Sequence, residues 1–101
     1  MCRIPKIVLV AADESLRRDL RRKLSSLEYD IVAALGSLDE IGDVTADVVV
    51  LWEPDAATIA AARDRGLKTV ALGGEDGAEL QLSSDDPAAF KSRVWELFRP
   101  A

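Results

Sequence analysis

The sequence predicts an α/β fold, a doubly wound five-stranded parallel sheet with helices on both faces. Three observations carry that expectation. The runs Ile7-Val8-Leu9-Val10 and Val48-Val49-Val50-Leu51 are apolar without interruption, as parallel strands covered on both faces are. Strand and helix patterns alternate along the chain, the arrangement that builds a parallel sheet through crossovers. A length of 101 residues suits a single domain, 1–101, able to bury roughly 60–65% of its unfolded surface.

Residues 6–10 read as the first strand, and 11–15 as a loop in which Asp13 or Ser15 can cap the next helix. That helix, 16 to about 27, sets Leu16, Leu20, Leu24 and Leu27 on one stripe. Its other side holds Arg17, Arg18, Arg21, Arg22 and Lys23. They suit a solvated face or, in a sharper reading, a docking stripe for an acidic partner with Arg18 and Arg22 as contact residues. Residues 29–34 form a short strand near a sheet edge. Gly36-Ser37 then opens a short helix over 38 to about 41 that Gly42 and Thr45 stop.

The run Ala46 to Leu51, closed by Trp52-Glu53-Pro54, is the central strand. Pro54-Asp55 starts an alanine-rich helix over 56–65, and Gly66 closes it. Residues 68–72 are the fourth strand, Gly73 to Gly77 a turn rather than a phosphate cradle, and 79–82 a fifth strand with one wet face. Asp86-Pro87 opens the last helix, 88 to about 98, with Asp86 as its cap, Phe90, Val94, Leu97 and Phe98 on one stripe and Trp95 off it. Only about six residues join the fourth and fifth strands, where a parallel crossover takes a dozen or more, so one helix is expected to be shortened or missing.

Composition narrows the function classes. With 49% hydrophobic and 31% charged residues the chain is globular rather than disordered. It carries no apolar run of membrane-spanning length and no signal-peptide core, so a cytoplasmic location is expected. Cys2 is the single cysteine and histidine is absent, which removes an internal disulfide, a cysteine-built metal site and the commonest general base. No pairing of nucleophile and base can be named, so neither enzymatic activity nor a cofactor is expected. The net charge of −5 disfavours nucleic acid and anionic membranes.

The pattern resembles the receiver domain of bacterial response regulators along nearly the whole chain. The likeness rests on Lys6 to Val10 with Asp13-Glu14-Ser15-Leu16-Arg17, on Tyr29-Asp30-Ile31-Val32, on Ala46 to Leu51, and on Asp86-Pro87 before the last helix. It implies strand order 2-1-3-4-5 in the flavodoxin-like manner and a role in two-component signal transduction. It also implies acids after the first strand to hold Mg²⁺, an aspartate ending the third, a hydroxyl residue after the fourth and a lysine after the fifth. Those positions hold Ala11 and Ala12, Trp52, Gly73, and Ser83 or Ser84. Methyl groups do not bind Mg²⁺ and an indole cannot form an acyl phosphate, so the expectation is a pseudo-receiver with a degenerate phosphorylation pocket.

Several consequences follow from that reading. Trp52 is expected to fill the former pocket. Asp13, Glu53 and Asp55 form a candidate acidic cluster near the strand ends, read mainly as caps and turn residues and secondarily as a Ca²⁺ or Mg²⁺ site. Glu53 could imitate a phosphorylated aspartate, although a solvated loop carboxylate is the simpler reading. Loss of a helix should expose Val70, Leu72, Leu80 or Leu82 beside an unpaired edge. A second copy or another protein would then cover that face, with Leu80, Leu82, Trp95 and Phe98 as interface candidates. The alternatives are an N-terminal regulatory domain of a longer DNA-binding regulator or assembly ATPase, and a receiver retaining metal-dependent phosphorylation.

Overall fold

Nine elements build the chain in a computed structural model that describes residues 5–26, 29–42, 46–74, 77–86, 88–94 and 96. They are β1 (Lys6–Val10), α1 (Glu14–Leu24), β2 (Asp30–Leu35), a 3₁₀ helix (Leu38–Ile41), β3 (Val48–Trp52), α2 (Ala56–Asp64), β4 (Lys68–Leu72), β5 (Leu80–Leu82) and α3 (Ala89–Arg93). The strands pair in parallel in the order β2-β1-β3-β4-β5. That is the expected sheet, and no helix stands between β4 and β5 among the described residues.

The uninterrupted apolar runs now have their cause. Successive side chains of a strand point to opposite faces, so a strand covered twice must be apolar at every position. From β3, Val48 and Val50 enter one core with Leu20 and Leu24 of α1 and Phe90 and Val94. Val49 and Leu51 enter the other, with Leu38 and Ile41 of the 3₁₀ helix and Ile59 and Ala62 of α2. Each fully buried large side chain contributes about 1.5–3 kcal/mol of transfer free energy, so both faces stabilise the sheet.

Local chemistry sets the helix ends. Asp13 caps α1, its carboxylate accepting from the amides of Ser15 at 2.8 Å and Leu16 at 3.3 Å, so α1 starts two residues before the predicted position. Ser37 and Glu40 form a reciprocal capping box that starts the 3₁₀ helix. Asp55 caps α2 through the amide of Thr58 at 2.8 Å. At the other end Gly66 takes φ 79°, the left-handed turn that ends a helix. On the outer strand β2 a register shift passes over Val32, leaving it exposed and blunting that edge.

Two expectations are corrected. Val70, Leu72, Leu80 and Leu82 are not exposed by the missing helix; each is at most 5% accessible, because all four face α1 and α3. Leu80 and Leu82 therefore belong to the core of the chain and are not available as contact residues on its surface. The face that a helix between β4 and β5 would cover carries Thr69, Ala71 and Gln81 instead. Thr69 and Ala71 are fully buried, and the Thr69 hydroxyl accepts from the Glu79 amide at 3.1 Å. Exposed Gln81 bonds the Gly73 carbonyl at 3.0 Å.

The second correction concerns Asp86. It supplies its backbone carbonyl to the Ala89 amide at 3.2 Å, while Ala88 stands at the cap position of α3 without a side-chain bond. Phe90 and Val94 are buried as the stripe predicts, and the Tyr29 ring meets Phe90 edge-on with centroids 5.3 Å apart. Trp95 and Phe98, the other two interface candidates, lie outside the described residues, as do Cys2, Leu27, Pro87 and Leu97.

Candidate functional site at the strand ends

The C-terminal edge of the sheet brings together the ends of β1 and β3, and it differs from the sequence reading most at Arg17. This residue lies in the first turn of α1, at the end of the helix nearest the end of β1. Rather than joining the solvated face, its Nη1 donates to the carbonyl oxygens of Ala11 at 2.8 Å and Ala12 at 3.1 Å. A guanidinium thus neutralises the backbone dipoles at the two positions where the resemblance calls for metal-binding acids. Ala11 is buried in the core, held by its own amide to the Leu35 carbonyl at 2.9 Å, and Ala12 is exposed. The sequence signal was present in the position of Arg17, one place after the first leucine of the stripe. A helical wheel does not record how close the neighbouring strand end comes.

The other basic residues of α1 are exposed, and Arg21 reaches the Ile31 carbonyl of β2 at 3.5 Å. Arg18 pairs with Glu14 at 3.3 Å, Arg22 with Asp19 at 2.9 Å and Lys23 with Asp19 at 2.9 Å, all within the helix. The Lys23 and Arg22 hydrogen bonds hold the Asp19 carboxyl below its ordinary value.

Trp52 ends β3 half-buried. Its side chain packs against the core under α1 and α3, and the residue also borders an open groove of about 480 Å³. The indole therefore takes part of the strand-end space without closing it, less than the filling that was expected. The groove lies between the 3₁₀ helix and α2. Ala11, Ala12 and Trp52 border it, as do Asp39, Glu53 and Asp55, of which Asp55 is engaged in capping α2 and Glu53 lies with its Cγ beside Gly73. The 3₁₀ helix that forms one of its walls spans only Leu38–Ile41.

After Trp52 the backbone turns sharply. Glu53 has φ 42°, the one positive value at a non-glycine position among the described residues, and its amide bonds the Leu72 carbonyl at 2.9 Å. The link after β4 lies directly on this turn. A Cβ on Gly74, itself at φ 72°, would come within 2.6 Å of Glu53 C and Pro54 O. Gly73 meets Ser84, whose Oγ would be 3.2 Å from a Cβ on Gly73. Of the two serines offered for the lysine position, Ser84 is the one facing the site. Ser83 turns into its own loop, its hydroxyl accepting from the Asp85 amide at 3.1 Å.

The acidic trio does not assemble. Asp13 is committed to capping α1 and does not border the groove. Asp55 caps α2, and the Thr58 side chain followed by its amide holds the Asp55 carboxyl below its ordinary value. Among the described residues no group of three or more carboxylate, cysteine or histidine side chains could hold a metal ion. The Mg²⁺ that the receiver resemblance implies does not fit here, because methyl groups occupy its ligand positions and Arg17 takes the adjacent carbonyls.

No protein-family model matches the chain, and no curated protein matches it in sequence. Solved structures do match it in shape. The signal receiver domain of the NarL response regulator from Mycobacterium tuberculosis superposes with a TM-score of 0.75 at 20% identity, over 94% of this chain and 96% of that one. The signal receiver domain of an HD domain-containing protein from Pseudomonas fluorescens Pf-5 gives 0.75 at 18% identity, over 95% of each chain. With five parallel strands in the order 2-1-3-4-5, the chain has the fold of response-regulator receiver domains.

Proposed function

We propose that this chain is a phosphorylation-independent pseudo-receiver, a signalling or regulatory module that works through protein contacts and carries no catalytic role. The observation behind this reading is the strand-end site itself. Where the fold family places metal-binding acids and a phosphoacceptor, this chain has Ala11, Ala12 and Trp52, with the Arg17 guanidinium bonded to the alanine carbonyls. Phosphoryl transfer to a carboxylate needs developing negative charge to be neutralised beside an oxygen nucleophile. Neither an indole nor a methyl group supplies that nucleophile.

Incubation of the whole chain with acetyl phosphate and Mg²⁺, followed by intact mass measurement, tests the reading. The expected mass is unchanged. A phosphoryl adduct mapped to Glu53 or Asp55 would overturn it and favour the residual phospho-receiver. A second reading, in which the unit regulates a further attached domain, draws on the HD domain-containing protein whose receiver it resembles in shape. Homodimerisation through the β5 edge loses its described apolar anchors, since Leu80 and Leu82 are buried.

A further inference from the structure

We infer that Arg17, Gly36 and Glu40 form an electrostatic strut that couples α1 on one face of the sheet to the 3₁₀ helix on the other. The inference deepens the proposed function, on which its regulatory meaning rests: the strand end is ordered by the chain's own charges, with no ion or phosphoryl group required. Three observations converge on Gly36, which directly follows β2. A Cβ placed there would lie 3.0 Å from Glu40 Oε2 and 3.1 Å from Arg17 Nη1, so an acid and a base from different helices reach the same point. Gly36 is also the only one of the six glycines without a positive φ, so the position needs room rather than backbone freedom. Each charged end, lastly, is fixed by bonds of its own. Arg17 Nη1 donates to the Ala11 and Ala12 carbonyls, and Glu40 Oε2 accepts from the Ser37 amide at 2.8 Å.

The two ends attract through space, since Nη1 is engaged by the alanine carbonyls and Oε2 by the Ser37 amide. Their helices have separate cores. Leu20 and Leu24 anchor α1 on one face, whereas Leu38 and Ile41 anchor the 3₁₀ helix on the other. The strut joins them around the end of the sheet, where the Ala11 amide bonds the Leu35 carbonyl at 2.9 Å. Arg17 is half-buried and Glu40 exposed, which sets a modest size for the effect. Pairs of this kind change a local opening equilibrium by about two- to fivefold.

Amide hydrogen exchange of the full chain, resolved by residue with NMR, tests the coupling. The Ala11 and Ser37 amides are read relative to the core amides of β3, so that a change in global stability cancels. Arg17→Met should speed exchange at Ser37 by about two- to fivefold, although Ser37 keeps Glu40 as its acceptor. Glu40→Gln retains an acceptor for the Ser37 amide and should speed exchange at Ala11, across the strut, by a similar factor. In the Glu40→Gln background, Arg17→Met should add nothing at Ser37. Gly36→Ala introduces no left-handed strain and should speed both amides, because its Cβ parts the charged ends. All these differences should shrink in about 1 M salt, where the screening length is about 3 Å. Unchanged relative exchange at Ser37 in Arg17→Met, independent effects in the double variant, or differences undiminished by salt would each overturn the coupling. The acetyl phosphate result depends on the missing nucleophile and metal ligands instead, so the strut and the proposed function fail separately.

Discussion

Nη1 of Arg17 lies 2.8 Å from the carbonyl oxygen of Ala11, joining the first turn of α1 to the end of β1. A hydrogen bond from a charged donor to a partly buried carbonyl is stronger than its neutral counterpart, and here it is doubled by the contact with Ala12. Arg17→Met keeps most of the stem but loses both bonds and should destabilise the chain by about 1–2 kcal/mol. Arg18→Met removes only an exposed intrahelical pair and should cost no more than about 0.5 kcal/mol. Urea unfolding of the two variants side by side checks the difference, and equal midpoints would show that the Arg17 contact contributes nothing.

The turn after β3 stores backbone strain. Glu53 at φ 42° occupies a region that costs a non-glycine residue about 1 kcal/mol, so Glu53→Gly should raise thermal stability by a comparable amount. Gly74→Ala should act oppositely and more strongly, losing about 2 kcal/mol or more, because its Cβ would meet backbone atoms at 2.6 Å. Differential scanning calorimetry of both variants would decide it.

Burial changes what a substitution in β5 reports. Leu82→Lys places a charge in the core beneath α3 and should unfold a large share of the protein, by about 3 kcal/mol or more, rather than dissolve an oligomer. Phe90→Ala removes a fully buried ring that meets Tyr29 edge-on and should cost about 3–5 kcal/mol. Circular dichroism melts at two protein concentrations separate core loss from dissociation, since only dissociation depends on concentration.

Acid stability follows from Asp19 and Asp55. Both carboxyls titrate below their ordinary value in the folded chain, Asp19 through Lys23 and Arg22 and Asp55 through Thr58. Each therefore contributes stability that is present above the unfolded carboxyl's pKa, about 4, and is lost as pH falls through the lower folded value. Without histidine in the chain, stability should change little between about pH 5 and 8. Asp55→Asn keeps a capping oxygen while removing the titration, so its acid limb should be shallower in unfolding curves taken from pH 5 to pH 2.

Restoring one residue should not restore the chemistry. Trp52→Asp supplies a carboxylate at the end of β3, yet Ala11 and Ala12 still offer no ligand for Mg²⁺. With acetyl phosphate and Mg²⁺ the variant should show no mass gain, and it should be less stable because the indole packs against the core. A phosphoryl adduct on the single variant would contradict the proposed function.

Fold and site differ in how far they could be read from residues alone. Strand positions, the short helix after β2, the shortened or missing crossover between β4 and β5 and the caps at Asp13 and Asp55 were legible because they rest on local pattern. Continuous apolarity marks a doubly covered strand, and a carboxylate before a helical run satisfies that helix's own amides. Which face of the sheet the apolar residues of β4 and β5 join was not legible. The alternation of Glu79 to Leu82 set Leu80 and Leu82 on one face and Gln81 on the wet one, but only the pairing with β4 turned the leucines to the face that α1 and α3 cover. The fate of Arg17 was hidden for a related reason: a helical wheel places it beside the apolar stripe, but only the approach of α1 to the end of β1 brings the Ala11 and Ala12 carbonyls within its reach. The same holds for the groove. Asp39 lies fourteen residues from Glu53 in the chain, and only the packing of the 3₁₀ helix on the sheet brings it to the strand end that Trp52 and Glu53 occupy.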